Sequence, residues 1–181
     1  INDNRVEPGW HVPEHEHRNM EIFGYVVAGQ CRHTDNLGNV LDVPAGAVQR
    51  MSSGTGIRHT EGNASSVPCR YLQLWIRTNQ QDVEPRWNWH QFTCEDKLNK
   101  FCNITEKLPI YADARLLAGL FTEPFVYTIN IQQKYYMYVV LGSGTMCDHS
   151  YVEGDGFSFD AESTIQIAPT TESEIILFEL R

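Results

Sequence analysis

Residues 44–61 read PAGAVQRMSSGTGIRHTE, and within them a short apolar run lies between turn-forming residues. The turn signals Pro-Ala-Gly and Ser-Ser-Gly-Thr-Gly enclose the run Val48–Met51. Glycine and proline at such intervals are typical of the turns between short strands. After the second turn come His59 and Glu61, whose side chains point to the same face if this segment is extended. The stretch therefore predicts two short strands, the second of which carries two side chains able to bind a metal.

The same alternation of short apolar runs and turns continues along almost the whole chain. Tyr71–Ile76 alternates with a period of two, as expected of a half-buried strand. Similar runs occur at Glu21–Val27, Val40–Val43, Phe125–Ile131, Tyr135–Leu141, Phe157–Phe159, Thr164–Ala168 and Ile175–Leu180. Only Asp113–Leu120 has a helical pattern, and it is short. Many short strands at this spacing predict an all-β fold of the sandwich, barrel or jelly-roll type, with little helix.

Composition and charge exclude several classes of protein. The 181 residues include 14 Lys and Arg against 23 Asp and Glu, which gives a formal net charge of -9. This acidic balance disfavours nonspecific contact with nucleic acid or with an anionic membrane surface. With 41% hydrophobic and 20% charged residues, the composition is that of a folded globular protein. We therefore expect no direct nucleic-acid partner and no membrane partner, while a protein partner stays open.

Cysteine usage indicates the cellular compartment. The five cysteines are scattered along the chain and include no Cys-x-x-Cys pair. This pattern argues against a disulfide framework or a zinc ribbon, and it fits a reducing compartment better. The first residues, Ile-Asn-Asp-Asn-Arg, do not have the pattern of a signal peptide. We therefore expect a cytoplasmic location.

A second pair of ligand-capable side chains, His15 and His17, has the same two-residue spacing as His59 and Glu61. Either pair alone is also what a solvated surface strand or loop would contain. If the two pairs meet across a barrel interior, they offer three imidazole nitrogens and one carboxylate oxygen. This donor set suits iron, manganese, nickel, copper or zinc, and it leaves coordination positions open for water or substrate.

The spacing around these pairs reproduces two motifs of the cupin fold. Gly9 is followed after five residues by His15-x-His17, and Glu21 follows after three more, which is the order of the first motif. Gly38, five residues, Pro44-x-Gly46, two residues and Gln49 reproduce the second motif. Gln49 stands where that motif normally has its last histidine ligand. Since His59 and Glu61 follow ten and twelve residues later, we expect the ligand set to have moved.

The pirin family has its ligands displaced in this way, and three segments of the chain resemble it. Residues 15–22, His-Glu-His-Arg-Asn-Met-Glu-Ile, resemble the pirin HPHR-x-x-E segment, with Glu16 in place of the usual proline. Residues 35–39, Asp-Asn-Leu-Gly-Asn, resemble its D-S-x-G-N turn, and residues 44–61 resemble its longest signature. Met-Glu-Ile in the first segment and Gly-Ile-Arg-His in the last are most similar to the bacterial pirin-like quercetinase branch.

The resemblance implies two cupin-type β-barrel (jelly-roll) units in tandem. We expect an N-terminal cupin at 1–92 that bears the metal, a connector at 93–109, and a degenerate, metal-free C-terminal cupin at 110–181. The last unit has no His-x-His pair, since His149 stands alone. Family members usually have several dozen residues before the segment where this chain starts. We therefore expect the first unit to lack some N-terminal strands.

The resemblance also implies the site residues. His15, His17, His59 and Glu61 correspond to the family's metal ligands, with one divalent metal bound. Iron is the leading candidate, and manganese, nickel, copper or zinc are the alternatives. Glu21 would then be an outer carboxylate that orients a ligand histidine, or simply a polar residue at a strand end.

The activity that the resemblance implies is a metal-dependent dioxygenase that cleaves quercetin or a related flavonol or enol, with dioxygen as the second substrate. Glu61 would act as general base for the substrate hydroxyl. Two alternatives stay open at this point. One is an iron-containing pirin-type regulator that binds a protein partner. The other is a metal-free bicupin that binds a small molecule.

Overall fold

The computed structural model describes residues 1–159 and 164–181, and strands dominate this part of the chain. Helix in it is limited to two short segments, α1 (Cys94–Lys97) and α2 (Ile104–Lys107). The chain divides into two compact units, the first formed by 1–92 with 108–112 and the second by 93–107 with 113–181. The prediction of an all-β fold with two cupin-type units is therefore confirmed.

Two antiparallel sheets form the first unit. Its strands are β1 (Asn2–Val6), β2 (His15–His17), β3 (Met20–Ala28), β4 (Gln30–Asp35), β5 (Val40–Pro44), β6 (Ala47–Ser52), β7 (Ile57–Gly62), β8 (Cys69–Arg77) and β9 (Arg86–Gln91). One sheet has the order β1-β8-β3-β6-β9, and the other has the order β2-β7-β4-β5. The two strands predicted within residues 44–61 are β6 and β7, which lie in different sheets.

Apolar side chains from both sheets of the first unit pack against one another. One buried cluster joins Val26 and Ala47 of the first sheet to Cys31 and Val43 of the second. Another joins Ile22 and Met51 of the first sheet to Ile57 of the second. Burial of such side chains is the main favourable term in folding, at roughly 25 cal/mol per Å² of apolar surface. The paired sheets thus enclose an apolar interior that holds the polar site described below.

Alternation along β3 decides which of its side chains face this interior. Ile22 and Val26 belong to the two interior clusters, so Gly24 between them lies on the same face. A Cβ atom at Gly24 would lie 2.6 Å from Nε2 of Gln49, so only glycine leaves room for that amide. Glu21 is offset from Gly24 by three residues and therefore lies on the opposite face of β3.

The second unit also has two antiparallel sheets. Its strands are β10 (Phe101–Asn103), β11 (Ala114–Phe121), β12 (Phe125–Thr128), β13 (Lys134–Leu141), β14 (Ser143–Met146), β15 (His149–Val152), β16 (Gly156–Phe159), β17 (Thr164–Pro169) and β18 (Ser173–Leu180). The sheet orders are β10-β11-β18-β13-β16 and β12-β17-β14-β15. The buried cluster of this unit includes Phe121, Met137, Met146 and Ile167.

The helical interpretation of Asp113–Leu120 is wrong, because this segment lies almost entirely in strand β11. β11 pairs with β18 on one side and β10 on the other, so it is an interior strand of its sheet. A central strand with both faces buried reads as a continuous apolar run, which periodicity alone cannot distinguish from a buried helix.

The interpretation of 93–109 as a connector also needs correction. Residues 93–107 belong to the second unit, and residues 108–112 return to the first. Within the second unit, β10 pairs with β11, and Thr93 caps α1 by accepting a hydrogen bond from the backbone of Asp96. The polar composition of this segment arises from short capped turns that pack on a sheet, and not from a solvated linker.

All five cysteines are free thiols, and Cys31 and Cys69 are buried. In the part of the chain that the structure describes, no helix has the length and apolar character needed to cross a bilayer.

Candidate metal centre

Three histidines converge where β2 pairs with β7. The two strands are antiparallel, and His15 lies directly opposite His59. The ring centroids of His15 and His59 are 4.5 Å apart, those of His15 and His17 are 4.7 Å apart, and those of His17 and His59 are 5.0 Å apart. One ring nitrogen from each histidine lies within 4.8 Å of the other two. The structure thus brings together the three histidines that the sequence pattern singled out.

The ring nitrogens of these histidines have the hydrogen-bonding state expected of metal ligands. Nε2 of His17 and both ring nitrogens of His59 are buried without a hydrogen-bond partner. Nδ1 of His15 donates to the carbonyl oxygen of Pro13 at 2.9 Å, which leaves its Nε2 with a free lone pair. Buried polar atoms without partners are rare in folded proteins, and a bound ion is one of their ordinary explanations. The residues present therefore fit a metal.

Local electrostatics keep two of the imidazoles neutral. Burial, and next the neighbouring imidazole of His15, lowers the pKa of His17 to about 4. The same two causes, with His33 and His17 adding to them, lower the pKa of His59 to about 3. A metal binds only the neutral form of imidazole. At neutral pH these two histidines therefore need not lose a proton before they could bind a cation.

Glu61, the fourth predicted ligand, is buried at the centre of a hydrogen-bond network. Its Oε1 accepts from Nε2 of Gln49 at 2.7 Å, and its Oε2 accepts from Nε2 of Gln73 at 2.8 Å. Burial raises the pKa of Glu61 to about 7, against the lowering effect of these two hydrogen bonds. One oxygen of Glu61 lies within 4.8 Å of a ring nitrogen of His33 and of His59. His33, His59 and Glu61 therefore form a second group of ligand-capable side chains, which shares His59 with the three-histidine group.

Gln49 and Gln73 hold this carboxylate, and their role was not predicted. Gln49 occupies the position where the second cupin motif normally has a histidine, and it also accepts from Nε1 of Trp87 at 2.9 Å. The two glutamines come from β6 and β8 of the same sheet. Each presents an amide N–H to one oxygen of Glu61, so the pair fixes the orientation of the carboxyl group.

His33 is a further residue of the site that the sequence analysis missed. It lies on β4 directly opposite Glu61, and it is buried. Its ring stacks on Trp87 with centroids 4.7 Å apart and planes at 11°, and its Nε2 lies 2.9 Å from Oδ2 of Asp35. The two-residue spacing of His33 and Asp35 repeats that of His59 and Glu61, and this was the signal that could have found it.

Glu21 is not placed among the ligand histidines. It faces away from the interior on β3, where its Oε2 accepts from Oγ of Ser52 at 2.6 Å. Burial raises its pKa, while Ser52, the backbone of Tyr111, Arg50 and Arg86 act in the opposite direction. The described contacts thus make Glu21 part of a separate buried polar cluster, because strand alternation places it on the other face. None of these contacts joins Glu21 to a candidate ligand histidine, so its role in orienting one stays a prediction.

An aromatic side chain borders the histidines. The Trp75 ring packs edge-on against His17 with centroids 5.0 Å apart, and 48% of Trp75 is exposed. Across residues 1–159 and 164–181, both groups of ligand-capable side chains lie in the first unit. The prediction of a metal-free second unit stays a prediction.

Comparisons with known proteins agree with this architecture. Residues 2–76 match the Pirin family, and residues 104–180 match the quercetinase C-terminal cupin domain. The chain is 34% identical to the quercetin 2,3-dioxygenase of Escherichia coli K12 over 186 residues. This region covers 99% of this chain and 80% of the relative. The chain is 32% identical over 187 residues to a pirin-like protein of Caulobacter vibrioides, with 98% of this chain and 81% of the relative covered.

A solved structure supports the same relationship. The bacterial pirin YhhW of Escherichia coli in complex with nickel(II) superposes with a TM-score of 0.89 at 30% identity, over 98% of this chain and 80% of that protein. The compared regions cover 98–99% of the chain and therefore extend through both units. The chain therefore belongs to the pirin family, in its bacterial quercetin 2,3-dioxygenase-like branch.

Proposed function

We propose that the protein is a metal-dependent dioxygenase that cleaves quercetin or a related flavonol or enol. The observation that carries this proposal is the group of three histidines, of which His59 is buried and His15 and His17 are half-buried. Ring nitrogens of His17 and His59 have no hydrogen-bond partner, and a buried carboxyl group with a pKa near neutrality lies beside them. The named activity of the Escherichia coli relative supports the substrate class. A small molecule and dioxygen are then the partners, and the five free thiols support a location in the reducing cytoplasm.

His15, His17 and His59 would hold the metal, with Glu61 as the fourth residue of the site. When bound, a divalent metal supplies Lewis-acid chemistry that acidifies an enol hydroxyl and holds its oxygen. A donor set of imidazole nitrogens with one carboxylate accommodates iron and nickel alike. We keep iron as the leading candidate, and the nickel complex of YhhW supports nickel as an alternative.

Glu61 would take the proton of the substrate hydroxyl. A general base works best when its pKa lies near the working pH, and burial brings the pKa of Glu61 to about 7. Each of its oxygens accepts one amide hydrogen bond, so each retains a lone pair for the transferred proton. Gln49 and Gln73 keep the carboxylate in one orientation, which limits the reorganisation needed during proton transfer.

Trp75 would orient a flat substrate beside the metal ligands. Its ring is half-exposed and in edge contact with His17, so it offers an apolar surface next to the histidines. Aromatic rings pair favourably with one another, at about 0.5–1.5 kcal/mol beyond the area that they bury. This surface favours a planar aromatic substrate over a small aliphatic acid.

The activity itself is the most direct prediction. We expect protein loaded with iron(II) or nickel(II) to consume dioxygen and release carbon monoxide when quercetin is added, and metal-stripped protein to do neither. An oxygen electrode and a carbon monoxide assay measure the dioxygen consumed and the carbon monoxide released by the same sample. Full metal occupancy without oxygen uptake on quercetin or other flavonols would contradict the proposal and favour a regulatory protein.

Acid should release the metal in a defined range of pH. Because burial already holds His17 and His59 neutral, protons compete with the metal for them only as the pH approaches their pKa values of about 4 and 3. We therefore expect the metal to be retained at about pH 6 and lost as the pH falls towards about 3. Metal content after desalting at each pH measures this. Full metal content well below about pH 3 would exclude the three-histidine site.

A further inference from the structure

The hydrogen-bonding state of His33 is fully determined on one side of its ring. Nε2 of His33 contacts the carboxylate of Asp35, whose oxygens also accept from the backbone of Leu37 and from Asn39. Burial opposes ionisation of Asp35, but hydrogen bonds from His33 and Asn39 hold its pKa below the ordinary value. A carboxylate only accepts hydrogen bonds, so Nε2 of the neutral His33 ring must carry the proton.

This tautomer leaves Nδ1 of His33 as a lone-pair acceptor. Nδ1 is buried and has no hydrogen-bond partner. The ring cannot turn freely to find one, because it is stacked on Trp87 and tied to Asp35. An acceptor held in this way in a buried site needs a donor nearby.

His59 supplies the matching donor once it binds a metal. Both of its ring nitrogens are buried without a partner, and its ring centroid lies 5.4 Å from that of His33. A neutral imidazole that gives one nitrogen to a metal carries a proton on the other. His33 and Glu61 are the two ligand-capable neighbours of His59 in the other group. Glu61 already accepts an amide hydrogen on each oxygen and is proposed as the fourth residue of the metal site, whereas Nδ1 of His33 has no partner.

We propose that His33 is a positioning residue whose Nδ1 accepts the free N–H of metal-bound His59, which completes a chain from Asp35 through His33 and His59 to the metal. The inference rests on the proposed metal site. Histidine ligands in metal sites generally donate their second nitrogen in this way, which orients the ring and makes it a stronger ligand. Trp87 and Asp35 give the acceptor a fixed position.

Two variants test the chain by metal affinity. His33→Phe retains a ring on Trp87 and removes the acceptor. Asp35→Asn retains an oxygen that can accept from the backbone N–H groups of Leu37 and Asn39. Its amide N–H can donate to Nε2 of His33, and the proton of the His33 ring then moves to Nδ1. We expect each variant to bind nickel(II) about 10- to 100-fold more weakly than wild type in chelator competition. His90→Phe, at an exposed histidine on β9, should bind as wild type does.

Nitrogen NMR of histidine-labelled, zinc(II)-loaded protein gives a readout that a structural role would not move. We expect an unprotonated, hydrogen-bonded Nδ1 on His33 in wild type and a protonated Nδ1 in Asp35→Asn. Unchanged nickel affinity in both variants, or a protonated Nδ1 in wild type, would overturn the inference. Wild-type protein that binds neither nickel(II) nor zinc(II) would instead overturn the proposed function. If His33→Phe fails to fold, Asp35→Asn and the wild-type spectrum still decide the question.

Discussion

Replacing His59 by alanine is expected to abolish both metal binding and flavonol-dependent oxygen uptake. His59 belongs to both groups of ligand-capable residues, and its ring centroid lies 4.5, 5.0 and 5.4 Å from those of His15, His17 and His33. Its loss removes a direct ligand and leaves two nitrogens to hold the ion. The affinity should therefore fall by more than the roughly 10- to 100-fold that is typical of losing an outer partner.

The measurement for His59→Ala is metal content by elemental analysis, followed by nickel(II) titration of the stripped protein. His90→Ala is the matched control, since His90 is an exposed histidine on a strand of the same unit. Thermal unfolding of the metal-free proteins shows whether the cavity left by a buried ring has destabilised the fold. Equal metal content in His59→Ala and wild type would show that the three histidines do not form the site.

Replacing Glu61 by glutamine should produce the second largest effect, a fall in kcat of about 100- to 10,000-fold, the size of the rate contribution of a general base. The glutamine side chain has the same shape but cannot accept a proton at neutral pH. Its amide nitrogen must also face the donor amide of Gln49 or Gln73, so one of the two present hydrogen bonds is lost. Oxygen uptake over a range of quercetin concentrations separates kcat from KM.

Glu16→Gln is the matched control for that experiment. Glu16 lies on β2 between His15 and His17, but it is exposed, because strand alternation turns it away from them. Glu16→Gln should leave kcat unchanged. Wild-type kcat in a metal-loaded Glu61→Gln protein would remove the base role from Glu61.

The same Glu61→Gln variant tests the raised pKa in the metal-free protein. Folding raises the pKa of Glu61 from 4.5 to about 7, so between these values the folded protein keeps a proton that the unfolded chain has released. The free energy of unfolding contributed by Glu61 therefore decreases as the pH rises through this range. The variant lacks this decrease, and its melting temperature relative to wild type should rise between about pH 4 and about pH 8.

Much of the site could be predicted from local pattern. The two-residue spacing of His15 and His17, and of His59 and Glu61, is itself the strand period, so each pair had to share a face once its strand formed. The motif spacing then related the two pairs to each other. The role of Glu21 could not be decided in this way, because its motif position says nothing about which face of β3 it occupies.

Other parts could not be predicted because they depend on contacts between distant strands. Asp113–Leu120 reads as a helix until β10 and β18 are known to flank it. Gln73 carries no signal of its own, since an amide in an alternating strand is usually a surface residue. It contributes to the site only because β8 and β6 flank β3 in the sheet, which brings Gln73 and Gln49 to the same carboxyl group. Gly24 on β3 leaves room for the amide of Gln49.

The sequence by itself determined the strand-rich class of the fold, the family, and the chemical types of the candidate metal ligands, because these follow from periodicity and spacing along the chain. The tertiary structure alone decided which side chains surround those ligands. The pairing of β4 with β7 sets His33 opposite Glu61 and Asp35 opposite His59. That register is set by long-range packing and hydrogen bonding between strands, which no local window of sequence contains.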